Sequence, residues 1–193
     1  METIAPFQIT ICGIEELEGH CEVGVSHVLS ILDPGWPVPP AFGAFGEHER
    51  LELRFHDIID DMPGMELPQP EHVEALLAFG RDLIAEPRPD AHLLVHCHAG
   101  ISRSTASMTL ILAQALPDRP ALAIIDEVMR IRSKAWPNLR IVELGDAMLG
   151  RGGTLVRAAI EAYRRQIERR PELADMMSGA GRGREVAAAR SGA

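Results

Sequence analysis

An apolar strand that runs straight into a glycine-containing loop and then a helix is the feature that most constrains this chain. The strand is the run Ala91 to Val95, and residues 96–105 read HCHAGISRST. Gly100 and Ser102 bury little surface and Arg103 should avoid a core, so packing explains the stretch poorly. Backbone amides where a strand becomes a helix, together with the helix dipole, can bind an anion. The stretch therefore predicts an anion site at the end of a strand.

The residue types in this loop suit a tetrahedral anion. Ala99 and Gly100 let the backbone curl closely around a ligand, and the planar guanidinium of Arg103 can bind two of its oxygens. The anion would lie above Cys97, and the same field favours the thiolate form of that cysteine. We therefore predict in-line attack on a phosphate ester and a phosphocysteine intermediate. Ser104 follows, and its hydroxyl could donate to the sulfur when the thiolate leaves.

The rest of the chain alternates strand and helix signals, which indicates an α/β domain with a largely parallel sheet. Apolar runs predict strands at residues 7–13, 26–32, 49–56 and 91–97, and helical spacing predicts helices at residues 70–86, 103–116, 120–132, 138–149 and 154–169. We expect one domain over residues 1–170, with a central, mostly parallel short sheet flanked by helices. Residues 171–193 have little to bury and predict a disordered tail.

Composition argues against several classes of partner. Acidic residues outnumber basic ones 28 to 19, so we expect no non-specific binding to nucleic acid or to an anionic membrane. Three cysteines form no disulfide framework and indicate a reducing compartment. The first residues lack a signal-peptide pattern, and no apolar run approaches the length of a membrane span. The expectation is a cytoplasmic protein, and its oligomeric state stays open.

At the loop, the sequence resembles the protein tyrosine phosphatase superfamily. The signature of that superfamily is His-Cys, five residues, Arg, then Ser or Thr, and residues 96–104 read HCHAGISRS. The Ala-Gly and Ser-Arg-Ser parts are most similar to the dual-specificity branch. Residues 24–32, GVSHVLSIL, look like the second strand of that branch, and residues 136–138, WPN, look like its Pro-Asn element. We use the name phosphate loop below for residues 97–103.

The resemblance implies a phosphatase that hydrolyses phosphate monoesters without a cofactor. Its substrate would be a phosphorylated protein, with phosphotyrosine first and phosphoserine or phosphothreonine as further candidates, or a small phosphate monoester. Catalysis would fall to Cys97, Arg103, Ser104 and an aspartate. The residues expected to bind the phosphate are His98, Ala99, Gly100, Ile101, Ser102 and Arg103. Asn138 of the Pro-Asn element would support the phosphate loop.

The resemblance also implies a general acid on a loop after the strand that precedes the cysteine. The acidic stretch 57–70 lies there and offers three aspartates, Asp57, Asp60 and Asp61. Family members often show an aromatic residue, any residue, and then the acid. Phe55 and Asp57 match that spacing, which favours Asp57 and leaves the other two as alternatives.

Three other interpretations stay open on the sequence. A phosphatase of phosphoinositides or other non-protein esters could use the same fold, although such relatives often carry lysines where this loop has His98 and Ile101. A catalytically silent phosphate-binding module is a second, although Cys97 and Arg103 are both present. A metal cluster of Cys97 with the neighbouring histidines is the third, although no second group of ligands is evident.

Overall fold

The centre of the molecule is a four-stranded parallel sheet, seen in a computed structural model that describes residues 4–85 and 90–191. In chain order the strands are β1 (Gln8–Gly13), β2 (His27–Leu32), β3 (Glu49–Arg54) and β4 (His92–Cys97). Their order across the sheet is β1-β4-β2-β3, so β4 lies between β1 and β2. Gly13 pairs with Cys97, and the loops after β1 and β4 therefore leave the same edge side by side.

The described residues also form seven helices around this sheet. They are α1 (Pro70–Ala85), α2 (Arg103–Ala115), α3 (Ala121–Ile131), α4 (Leu139–Met148), α5 (Thr154–Arg169), α6 (Leu173–Met177) and α7 (Gly183–Ser191). The first five match the predicted helices closely, although residue 86, the expected end of α1, lies outside the described part. The predicted α/β fold is confirmed. None of the helices in residues 4–85 and 90–191 combines the length and apolarity needed to cross a membrane.

The two faces of the sheet bury cores of different size. Successive strand residues point to opposite faces, and Val95 joins the main core with Leu110 and Tyr163 of the helices. On the other face, Leu94 belongs to a small core that also contains Cys12. The short 3₁₀ segments Ile14–His20 and Pro40–Ala44 contribute to this small core. Cys97 therefore has the helical layer, not the 3₁₀ layer, beneath its side chain.

The C-terminal segment, which we define as residues 171–191, is helical and packed. This differs from the disordered tail that the sequence predicts for residues 171–193, the last two of which lie outside the described part. A π-helical stretch, Ser178–Arg182, joins α6 to α7. Leu173 and Val186 enter the main core, and Arg182 and Glu185 are buried. The segment is rich in glycine and alanine, so its few anchoring side chains gave only a weak periodic signal.

Candidate active site

Cys97 lies at the floor of a cavity of about 430 Å³ where β4 ends. Its side chain is only 2% exposed, and the Ser104 hydroxyl oxygen, in the first turn of α2, lies 3.2 Å from its sulfur. The phosphate-loop residues that line the cavity are Cys97, His98, Ala99, Ile101, Ser102 and Arg103. The sequence-predicted nucleophile and binding loop thus meet in one concave site.

The carbonyl oxygens of the phosphate loop bond to the surrounding protein. The backbone N–H groups of Ile14, Trp136 and Asn138 donate to the carbonyl oxygens of His98, Ile101 and Ser102, respectively. The guanidinium of Arg132 donates to those of Ala99 and Gly100. All five distances lie between 2.9 and 3.3 Å. Because the N–H of a trans peptide points opposite to its C=O, the amides of residues 99–103 turn toward the cavity. Several amides aimed at one spot form an anion-binding nest.

Gly100 allows the loop to lie directly against β1. Its φ is 66°, and a Cβ atom at this position would come within 2.4 Å of the Cys12 carbonyl carbon. Any side chain would therefore be strained and would clash with backbone. Behind the loop, Arg132 bonds both oxygens of Glu16 at 2.9 and 2.6 Å. The hydrogen bonds from Arg132 lower the pKa of Glu16 to about 2, so this clamp stays ionised.

The guanidinium of Arg103 is buried, and one of its nitrogens, NH1, makes two hydrogen bonds to the protein. Its NH1 donates to Asp33 Oδ1 and to the Phe55 carbonyl oxygen, both at 2.6 Å. Its Nε is buried and has no hydrogen-bond partner among the described residues. A buried, unpaired donor is costly unless a ligand satisfies it. Asp33 was not expected at this site, because its place in a proline-rich loop after β2 carries no sequence signal that it faces Arg103.

Asp57 is the one of the three candidate acids that lines the cavity. Its Oδ1 accepts hydrogen bonds from Ser102 Oγ at 2.7 Å and from Asn138 Nδ2 at 2.8 Å. Asp60 and Asp61 are exposed and do not line this cavity. Asn138 thus reaches both the phosphate loop, through its backbone N–H, and the acid, through its side chain.

Three residues of the C-terminal segment, Met177, Ala180 and Arg182, line the same cavity, and none of them was expected from the sequence. Arg182 NH1 lies 3.1 Å from Ser102 Oγ and 3.3 Å from Asp57 Oδ1. Its NH2 donates to Glu185 Oε1 at 2.6 Å. Arg182 lines the cavity beside Met177. No motif marks these positions, since their partners lie far away in the sequence.

The histidines beside Cys97 are neutral near pH 7. Burial lowers the pKa of His98, and its Nε2 accepts the Asp33 N–H at 3.2 Å. Burial also lowers the pKa of His96, to about 4, and its Nε2 lies 2.8 Å from Ser30 Oγ on the other face of the sheet. Residues 4–85 and 90–191 contain no group of three or more side chains placed to hold a metal ion. The metal-cluster interpretation therefore has no geometric support.

Comparisons with solved structures identify the fold. No protein-family model matches the sequence, and no curated protein sequence matches it. Human DUSP28 is 16% identical with a TM-score of 0.56, over 78% of this chain and 99% of that chain. PTPMT1 in complex with PI(5)P is 17% identical with a TM-score of 0.51, over 86% and 97% of the two chains. Human tyrosine phosphatase-like serine/threonine/tyrosine-interacting protein is 17% identical with a TM-score of 0.52, over 73% and 87%. The chain therefore has a dual-specificity phosphatase-like fold.

Proposed function

We propose that this chain is a cysteine-dependent phosphatase of phosphate monoesters, with protein phosphotyrosine as its substrate class. The observation that carries the proposal is the geometry around Cys97. Its sulfur lies at the floor of a cavity toward which the loop amides turn, and Arg103, whose Nε has no partner among the described residues, also lines that cavity. A phosphate held by these donors would present its phosphorus to the sulfur, and the donors would stabilise the charge that develops in the transition state.

The reaction would proceed in two displacements. The sulfur of Cys97 forms a bond to phosphorus while the bond to the ester oxygen breaks, and Asp57 gives its proton to that oxygen. Water then attacks the phosphocysteine, Asp57 takes the proton, and inorganic phosphate and the thiolate are released. Ser104 Oγ, 3.2 Å from the sulfur, is placed to donate to the departing thiolate.

The lining of the cavity favours an aromatic ester with a single phosphate. Ile58, Met65 and Met177 form apolar walls suited to an aromatic ring. The Asp33 carboxylate lines the same cavity and would repel further phosphates of a polyphosphorylated headgroup, whereas Asp57 is protonated when the ester binds. These features support phosphotyrosine over a phosphoinositide.

Hydrolysis of para-nitrophenyl phosphate, with and without a metal chelator, tests the proposal. Cys97→Ser should lower kcat by more than about 10³-fold, because it removes the nucleophile, and should still bind tungstate. The control is Cys21→Ser, since Cys21 does not line this cavity. Activity that survives in Cys97→Ser would contradict the mechanism, and tungstate binding without turnover in the unsubstituted chain would identify a silent binding module. Rates on phosphotyrosine, phosphoserine and phosphothreonine peptides and on phosphoinositides then test the substrate class.

A further inference from the structure

The C-terminal segment brings a cation to the carboxyl group of Asp57. Arg182 follows Gly181, whose φ of 78° interrupts the helical path between α6 and α7. The side chain is 4% exposed, and its NH1 lies 3.1 Å from Ser102 Oγ and 3.3 Å from Asp57 Oδ1. A guanidinium from residues far downstream therefore contacts both the phosphate loop and the proposed acid.

Glu185 holds Arg182 from its other side. The NH2 of Arg182 donates to Glu185 Oε1 at 2.6 Å, and Glu185 is fully buried. The same carboxylate accepts from Trp136 Nε1 at 2.5 Å and from Leu139 N at 2.9 Å. These two donors flank Asn138, which also bonds to Asp57. The ion pair therefore fixes Arg182 to the stretch that supports the phosphate loop.

The charge of Arg182 is directed at the protein and not at a second anion of the substrate. Burial works against the charged form, yet Glu185 and Asp57 raise the pKa of Arg182 above its ordinary value. The buried carboxylate of Glu185 offsets the cation and Asp57 occupies another part of the guanidinium, so little net attraction remains for another phosphate. Arg182 therefore acts on the groups that it contacts, Asp57 and Ser102.

All three donors to Asp57 converge on one oxygen of its carboxyl group. Ser102 Oγ, Asn138 Nδ2 and Arg182 NH1 lie 2.7, 2.8 and 3.3 Å from Oδ1. Oδ2 receives no hydrogen bond from the residues that the structure describes. A protonated carboxyl carries its proton on one oxygen, and an oxygen that already accepts three hydrogen bonds has no place for it. The proton is therefore directed to Oδ2.

We propose that Arg182 is a positioning residue for the general acid. With Ser102 and Asn138 it occupies Oδ1 of Asp57, so that the proton resides on Oδ2 and faces the leaving group. The proposal rests on the proposed phosphatase function and makes the C-terminal segment part of the site. It predicts that Arg182 acts on leaving-group protonation and not on phosphate binding.

The test is Arg182→Met in the full chain, with phenyl phosphate compared with para-nitrophenyl phosphate. Phenolate leaves poorly without a proton, whereas para-nitrophenolate leaves readily, so a fault in the acid shows mainly on the first ester. We expect kcat/KM, which reports the step in which the leaving group departs, to fall about 10- to 100-fold for phenyl phosphate and only about threefold for para-nitrophenyl phosphate. KM and tungstate binding should change less than about twofold. In an Asp57→Asn background, Arg182→Met should cause no further loss, because the acid that it positions is already absent.

Arg190→Met is the matched control, since Arg190 is an exposed arginine of the same segment. Arg182→Met leaves Glu185 buried without its cation and is expected to lower stability for that reason alone. A double variant, Arg182→Met with Glu185→Gln, removes the unpaired charge. Thermal unfolding then shows which of the two variants is folded, and that variant is used for kinetics. Equal losses on the two esters, or losses that add fully to those of Asp57→Asn, would overturn the role of Arg182 and leave the phosphatase activity standing. Absence of hydrolysis by the unsubstituted chain would overturn the phosphatase function and this role together.

Discussion

The phosphate loop itself holds Asp57 in position, because Ser102 of that loop donates directly to Asp57 Oδ1. The contact fixes the acid relative to the anion site through a single short bond. Asp60, by contrast, pairs with Arg184 at the surface and has no contact with the phosphate loop among the described residues. The three aspartates therefore differ in position far more than in sequence context.

Asp57→Asn should lower kcat for phenyl phosphate by about 10²- to 10³-fold with little change in KM, because the amide has no proton to transfer to the leaving oxygen. Steady-state kinetics on phenyl phosphate measure the loss. Asp60→Asn and Asp61→Asn are the comparison variants, since both residues are exposed. A loss of this size in either of them, with normal turnover in Asp57→Asn, would move the acid to that position.

The residues of the phosphate loop could be predicted from one continuous stretch, whereas Asp57 and Asn138 were expected only from the family resemblance. Cys97 and Arg103 stand at a fixed spacing between a strand and a helix, and that spacing already predicts an anion site. Asp33 and Arg182 enter from separate loops, and only the folded chain brings them to Arg103 and Asp57. Their pairing depends on long-range geometry, for which a single sequence contains no periodic signal.

At the scale of elements, the phosphate loop is enclosed by three neighbours. Ile14, the residue after β1, donates to the His98 carbonyl, Arg132 follows α3, and Asn138 precedes α4. The strands and the first five helices were predictable because their apolar spacing is regular. α6 and α7 were not, because short, alanine-rich helices pack through a few small side chains and one buried ion pair.

Gly100→Ala should reduce both stability and turnover. The added Cβ would meet Cys12 backbone at 2.4 Å, and φ of 66° is unfavourable for alanine, so the loop must move away from β1. We expect a loss of at least about 2 kcal/mol in the free energy of unfolding, measured by urea denaturation, and a fall of kcat of more than about tenfold. Gly43→Ala is the control, because a Cβ there meets nothing within 4 Å. Unchanged turnover in Gly100→Ala would contradict the close approach of loop and strand.

At the scale of the whole molecule, the sheet separates the candidate active site on one face from the smaller core on the other. Cys97 belongs to the main core and faces the helices, whereas Cys12 and His96 lie against the 3₁₀ layer. Burial raises the pKa of the Cys12 thiol to about 12, so that cysteine stays protonated. His96 is fully buried and must stay neutral for the smaller core to hold together.

His96 should make the fold sensitive to acid. Its pKa is about 4 in the folded chain and about 6.5 when unfolded. Between these two pH values the unfolded chain binds the proton and the folded chain does not. The stability that comes from keeping His96 neutral is therefore intact above pH 6.5 and is lost as the pH falls toward 4. The free energy of unfolding should fall by about 2 kcal/mol from pH 7 to pH 5 through this group. Urea denaturation at both values should show a correspondingly smaller fall in His96→Asn, and an identical fall would exclude His96 as the cause.

Arg182 lies far downstream of Cys97, so the ribosome completes the two parts of the site at different times. The part of the chain up to the end of α5 contains the proposed nucleophile, the phosphate loop and Asp57, but not the arginine that is proposed to align the acid. On the proposed roles, a chain without a docked Arg182 would bind a phosphate ester but would protonate its leaving group poorly. Full turnover would therefore begin only once the C-terminal segment has been translated and has docked.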